Sequence, residues 1–250
     1  MTRAKIFTYG LGKECQVSAD AVQVDRLGLK FFLRTSAGEA AVRSRLIGDF
    51  NVYNILAAVG IGMALGLPFE AVVRGIEALK SIPGRLERVE NGRGLTLVVD
   101  YSHTPDALLK AMISLKPYVK NRLITVFGCG GDRDRGKRYD MGRLAGEHSD
   151  VAFITSDNPR SEDPLSIVKE IEKGMLDSGL GKGGENARTG RGYYLEVDRR
   201  QAIRKAVSMA GEADVVLIAG KGHEDYQIIG SERRPFRDQE EAARAASEGV

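Results

Sequence analysis

Val151-Ala152-Phe153-Ile154-Thr155-Ser156-Asp157-Asn158-Pro159-Arg160 is an apolar run that stops on a carboxylate, an amide, a rigid proline and a guanidinium. The run lacks the polar alternation of a half-exposed strand. It suits a strand covered on both faces, as in a parallel sheet. Polar groups gathered at its carboxyl end stand where open α/β sheets bind ligands. A carboxylate, an amide and a guanidinium together suit a small zwitterion that carries carboxylates of its own. Two further segments repeat the arrangement: residues 128–137, and Gly220-Lys221-Gly222-His223-Glu224. Three strand ends with recognition chemistry predict one binding crevice.

The pattern around this stretch is regular. Strands are predicted over residues 95–100, 123–127, 151–155, 193–197 and 214–219, with helices over 105–115, 139–148, 164–176 and 199–210. Such alternation predicts a Rossmann-like α/β domain, a mainly parallel sheet with helices on both faces. Before it the reading changes. Residues 1–47 read as β-structure, with a hairpin of 29–35 and 41–46 around Ser36-Ala37-Gly38-Glu39. An alanine-rich helix follows over 51–65, with Gly66 placed as its carboxyl-terminal cap and Pro68 barring continuation. A second helix is predicted over 69–79, and Pro83-Gly84 breaks the chain. The polar, Gly-rich residues 179–192 read as an exposed flexible insertion.

The 250 residues, 42% hydrophobic, suffice for one large or two smaller domains with real cores. A net charge of +3 without a clustered basic stripe argues against nucleic acid and is compatible with a small anionic substrate. Two distant cysteines, Cys15 and Cys129, form no disulfide framework and no metal spacing, which predicts a reducing cytoplasmic setting. No apolar run reaches membrane-spanning length, and the first residues lack the apolar core of a signal peptide.

Several segments admit two readings. Residues 131–138 imitate a phosphate loop, yet the Mg²⁺-binding hydroxyl position is Arg138 and two aspartates stand where amides should cradle an anion. The same segment reads either as a recognition loop, with Arg133 forking a carboxylate, or as a solvated charge cluster. Asp157-Asn158-Pro159-Arg160 could be a plain turn leading to a helix capped by Asp163, which leaves Asn158 and Arg160 unexplained. In Gly220-Lys221-Gly222-His223-Glu224 the glycines allow close backbone approach, Glu224 could accept from an ammonium, and His223 is given no catalytic role. Asp100 ends a strand where it could meet ribose hydroxyls, and Thr104-Pro105 starts the next helix. Asn51 and Asn54 share a helical face and could read an adenine edge, although Asn51 reads better as the helix cap.

Taken in order, Gly48-Asp49-Phe50-Asn51-Val52-Tyr53-Asn54-Ile55-Leu56-Ala57-Ala58, Pro83-Gly84-Arg85-Leu86-Glu87, Asp100-Tyr101-Ser102-His103-Thr104-Pro105-Asp106, residues 128–138, Asp157-Asn158-Pro159-Arg160 and residues 220–224 resemble the Mur ligases. Within them the chain is most similar to the branch that adds meso-diaminopimelate. Any one motif is weak; six in register over nearly the whole chain are specific.

The resemblance implies an ATP-dependent amide-forming ligase of peptidoglycan synthesis. ATP activates the D-glutamate carboxylate of a UDP-muramoyl dipeptide as an acyl phosphate, and the amine of diaminopimelate attacks it. By the same resemblance Asp157, Asn158, Pro159 and Arg160 form the diaminopimelate recognition motif, with Arg133, Gly220 and Glu224 around the far amino-acid head. On the nucleotide side, Asn51 and Asn54 lie near adenine, Arg85 toward phosphate and Asp100 toward ribose. Lysine-adding relatives lack the Asn-Pro-Arg pattern, and Arg160 suits a substrate with an extra carboxylate. The implied domains are residues 1–86, the carboxyl-terminal part of the family's central ATP-binding domain, and 87–250, its amino-acid-binding domain. The family's Gly-Lys-Thr phosphate loop, its UDP-precursor domain and its carbamylated lysine and Mg²⁺ ligands have no counterpart here. The chain alone is therefore expected to be inactive, with ATP and Mg²⁺ handled mostly by a missing amino-terminal half. The alternatives are a non-catalytic amino-acid-binding half that needs a partner chain, and a lysine-adding Mur ligase. No nucleic-acid or membrane partner is expected.

Overall fold

A computed structural model describes residues 6–25, 28–183 and 190–248. The chain divides into two compact units, Met1–Ile82 and Pro83–Val250.

In the first unit, strands β1 (Tyr9–Gly10), β2 (Val17–Asp25), β3 (Gly28–Thr35) and β4 (Gly38–Ser44) form one sheet in that order. The β3–β4 hairpin pairs Thr35 with Gly38, so its loop is Ser36-Ala37, tighter than the expected four residues. The Thr35 hydroxyl accepts from the Ala37 and Gly38 amides, which closes the turn. Helices α1 (Asn51–Ala64) and α2 (Phe69–Ala78) follow. Val52, Ile55, Leu56 and Val59 recur at helical spacing and pack with Val17, Leu29, Phe31 and Leu33 in a core of this unit's own. Gly66 ends α1 as expected, in a left-handed conformation, with Leu67 N–H bonding back to Gly62 O.

The second unit has a six-stranded sheet: β5 (Glu87–Val89), β6 (Thr96–Asp100), β7 (Leu123–Phe127), β8 (Val151–Ile154), β9 (Gly192–Leu195) and β10 (Val215–Ala219). The spatial order is β5-β6-β10-β7-β8-β9, and every pair is parallel except β5–β6. Its central strands are buried along their whole length, which accounts for their unbroken apolar sequence. Helices α6 (Arg199–Met209) and α7 (Asp238–Ser247) pack on the face carrying Leu97, Val99, Val126, Phe153 and Ile218. On the other face Thr125 bonds Ser149, beyond α4 (Gly136–His148), and Ser149 meets Met112 of α3 (Pro105–Leu115). Helix α5 (Pro164–Asp177) packs beside α4.

Strand β5, the antiparallel hairpin of β11 (Tyr226–Ile229) and β12 (Glu232–Pro235), and α7 are additions to the sequence-based elements. Helix α4 begins three residues before the expected position. Within residues 179–192, 184–189 lie outside the described residues. On either side, Gly183 N–H donates to Tyr193 O and Tyr193 N–H to Gly181 O, so this flank is bonded to β9 and not free. Among the described residues no helix is long and apolar enough to cross a membrane.

Candidate functional site

The carboxyl ends of β8 and β10 bring Asp157, Asn158, Lys221 and Glu224 together. Each sits just past a strand whose burial fixes its position. Lys221 is completely buried, and its ammonium donates to Asp157 Oδ1 (3.4 Å), Asn158 Oδ1 (3.0 Å) and Glu224 Oε2 (3.2 Å). Asn158 Nδ2 donates to Glu224 Oε2 at 3.0 Å, and Asn158 Oδ1 accepts from the Ile228 amide at 2.9 Å. The Lys221 ammonium and the Ile228 amide can only donate, so the Asn158 oxygen must face them. Two carboxylates against one ammonium leave this cluster one negative charge in excess. Such a surplus, on one buried and one partly buried carboxylate, favours a ligand cation. Gly220 has φ +118°, and a Cβ built on it would lie 3.9 Å from the Asp157 carboxylate.

Pro159 and Arg160 carry the chain outward. The Arg160 N–H donates to Ile228 O (3.1 Å) and its carbonyl accepts from Gly230 N–H (2.8 Å), so the β11–β12 hairpin grips this residue in a left-handed conformation, φ +52°. Gln227 Nε2 reinforces the grip by donating to Asp157 O at 2.8 Å. The Arg160 guanidinium folds back on Gly131 O (2.8 Å) and Asn158 O (3.3 Å). Gly130 and Gly131 let it do so: a Cβ on Gly131 would lie 1.9 Å from Pro159 O. A Cβ on Gly130 would touch Arg160 Nη1 at 2.9 Å and Arg133 Cγ at 3.7 Å, so both arginines flank the same backbone. Arg133 is exposed and, among the described residues, donates only to its neighbour's carbonyl, Asp132 O. Neither Arg133 nor Arg160 forms an ion pair among the described residues, whereas Arg135 and Arg138 nearby both do.

The rest of the loop that imitates a phosphate cradle is occupied by its own chain. Asp132 N–H donates to Glu162 Oε1, Gly136 N–H to Asp134 Oδ1 and Gly131 N–H to Asn158 O. The buried Arg138 guanidinium binds Glu162 and Glu170 and holds the Glu162 carboxyl down to about 2. Its Nη2 also donates to Gly130 O, so this network anchors the loop that carries Arg133. Cys129 is sealed beneath, and burial pushes its thiol up to about 12.

On the neighbouring strand end, Asp100 accepts from Leu86 N–H (2.8 Å) and Ser102 N–H (2.9 Å), fastening the segment that bears Arg85. Arg85 is exposed, with its guanidinium 5.3 Å from the Tyr101 ring centre. The Tyr101 phenol is raised by burial and by the Glu224 charge, which places it beside the anionic cluster. Gln239, in α7, donates to Gly222 O at 3.0 Å and closes the Gly-Lys-Gly turn from behind. In the first unit, Asn54 Nδ2 donates to Asn51 Oδ1 at 2.9 Å, so the two amides do share a face. Asn51 is not the cap expected from sequence. Phe50 occupies that position without a side-chain bond, and Asn51 Nδ2 instead donates to Ile47 O at 2.7 Å, tying the helix to the chain before it. No group of three or more His, Cys, Asp or Glu side chains placed to hold a metal occurs among the described residues.

The chain matches the Mur ligase, glutamate ligase domain over residues 84–222, more than half its length, and the Mur ligase middle domain over residues 1–62. The chain belongs to the Mur ligase family. It is 49% identical over 249 residues to a UDP-N-acetylmuramoyl-L-alanyl-D-glutamate--2,6-diaminopimelate ligase of Geobacter metallireducens, covering 98% of this chain and 49% of that protein. A solved structure of a UDP-N-acetylmuramoyl-L-alanyl-D-glutamate--2,6-diaminopimelate ligase superposes with TM-score 0.69 at 38% identity, over 98% of this chain and 48% of that one. The UDP-N-acetylmuramate-alanine ligase of Thermotoga maritima, 17% identical with TM-score 0.64 over 97% of this chain and 47% of its own, shares the fold. This Mur ligase chain thus spans about half the length of the curated relatives it matches.

Lys221 and Gln227 join the site without a role that the sequence assigns them. A lysine two residues after a fully apolar strand was the available signal for the first, since such a charge must be paired when buried. Gln227 had none, because the four residues of β11 in the β11–β12 hairpin are too short a run to show strand alternation.

Proposed function

We propose that the crevice formed by Arg133, Asp157, Asn158, Pro159, Arg160, Gly220 and Glu224 holds meso-diaminopimelate, and that the chain is half of a ligase adding it to UDP-N-acetylmuramoyl-L-alanyl-D-glutamate with ATP. The carrying observation is the division of charge. Asp157 and Glu224 outnumber the one ammonium between them, while Arg133 and Arg160 stand together without carboxylate partners among the described residues. An amino-acid head fits this division, ammonium to the carboxylates and carboxylate to the guanidiniums. The names of the similar ligases support the same substrate.

Holding the far head fixes the amine at the other end of the molecule, and catalysis on this side of the enzyme is positioning. ATP converts the acceptor carboxylate to an acyl phosphate. The held amine attacks its carbonyl, a tetrahedral intermediate forms, and phosphate leaves as the nitrogen loses a proton. In the second unit, exposed Arg85 fits a phosphate and Asp100 keeps lone pairs for a ribose hydroxyl beyond its two backbone bonds; in the first unit, taken by itself, Asn54, braced by Asn51, offers an amide edge that suits an adenine. The occupied amides of residues 131–136 do not fit a triphosphate. We therefore assign residues 1–86 to the end of the central domain and 87–250 to the amino-acid-binding domain, with triphosphate and Mg²⁺ held mainly by the other half of the enzyme.

Calorimetric titration of the chain tests the reading. We expect meso-diaminopimelate to bind, L-lysine to bind at least about tenfold more weakly, and Arg160→Ala to cost about tenfold to a hundredfold, the worth of a charge-assisted hydrogen-bond pair. Equal affinity for lysine and diaminopimelate would overturn it.

A further inference from the structure

Arg199 is the first residue of α6 and has no exposed side-chain surface. Its Nε and Nη2 grip both oxygens of Asp238, the first residue of α7, at 2.8 and 2.7 Å. The remaining reach of the same guanidinium goes to two strand ends: Nη2 donates to Ala219 O at 3.0 Å and Nη1 to Ser156 O at 3.4 Å. Those carbonyls immediately precede Gly220 and Asp157. The strands that carry them, β10 and β8, are not neighbours, because β7 runs between them. The sheet ladder therefore sets the spacing of the two edges only indirectly, whereas one planar, rigid group spans it in a single step. The Asp157 and Glu224 charges also act on Arg199, which adds to the attraction that holds it there.

A fully buried ion pair adds little net stability, since removing both charges from water offsets most of their attraction. The placement of this one points to geometry instead. We propose that Arg199, clamped by Asp238, is a positioning residue that fixes the distance between the Asp157–Arg160 edge and the Gly220–Glu224 edge, and so sets affinity for the amino-acid substrate without touching it. The inference rests on the crevice assigned above.

The test measures meso-diaminopimelate affinity and the ligand-free melting temperature of the full chain. The paired variant Arg199→Met with Asp238→Leu removes both charges, leaving neither unpaired, and is expected to melt near the parent temperature. Its affinity is expected to fall about tenfold or more, because two carbonyls that align the edges lose a charged donor. Arg199→Lys keeps the pair but cannot bridge both carbonyls, and is expected to lose several-fold with its fold intact. Parent-like affinity in either folded variant overturns the inference, and Arg199→Lys decides alone if the paired variant does not fold. Arg160→Ala is the control for the crevice itself. If that change leaves binding untouched, the site assignment fails; if it abolishes binding while both Arg199 variants bind normally, only the positioning role fails.

Discussion

Lys221 shows how much one side chain can be asked to hold. It lies between Asp157 and Glu224 with no solvent contact, so replacing it leaves the buried Asp157 carboxylate and the partly buried Glu224 carboxylate without the ammonium they share. Lys221→Met is expected to cost about 3–5 kcal/mol, the usual penalty for breaking a buried pair from one side, measurable by urea unfolding. A loss under about 1 kcal/mol would mean that water reaches the cluster. Glu162 gives a pH signature. Its carboxyl is depressed from 4.5 to about 2, chiefly by its bonds to Arg138, so the contribution is complete above the unfolded value and fades as pH falls toward 2. We expect stability to decline across that acidic window and the decline to be shallower in Glu162→Gln. Most of these residues were visible in the sequence as polar punctuation after apolar runs. Their mutual pairing was not, because Asp157 and Lys221 are brought together by strand order, which no local pattern encodes.

At the scale of elements, burial decides what could be read. Strands β6, β7, β8 and β10 are covered on both faces and announce themselves as apolar runs. Two of the predicted caps stand, while Asn51 does not: Thr104 accepts from Ala107 N–H, and Asp163 accepts from Ser166 N–H, each before a proline at the start of its helix. The β11–β12 hairpin escaped the reading because β12, Glu232-Arg233-Arg234-Pro235, is exposed throughout and carries no apolar alternation. Helix α7 is rich in alanine and glutamate, with acidic residues in its first turn, and its propensity was legible without a motif to draw attention to it. The loop between β7 and α4 depends on close backbone approach. Gly131→Ala would drive a methyl into Pro159 O and is expected to cost about 1–3 kcal/mol, with diaminopimelate binding weakened in step. Unchanged melting and binding would show that the loop yields freely.

For the whole molecule, each compact unit has its own apolar core, one around Phe31, Leu33 and Leu56 and one around Val126, Phe153 and Ile218. A protein of residues 83–250 alone is therefore expected to unfold cooperatively and to keep its diaminopimelate affinity, checked by thermal melting and calorimetry. ATP hydrolysis by the 250-residue chain is expected to stay at background, and turnover would place a triphosphate site among residues not assigned to one. The last helix has a practical consequence for anyone handling this protein. Gln239 fastens Gly222 from behind, and α7 packs against the sheet beneath the crevice. What reads as a polar, alanine-rich appendage is thus a wedge under the binding loop, and removing it is expected to dismantle the pocket it props open.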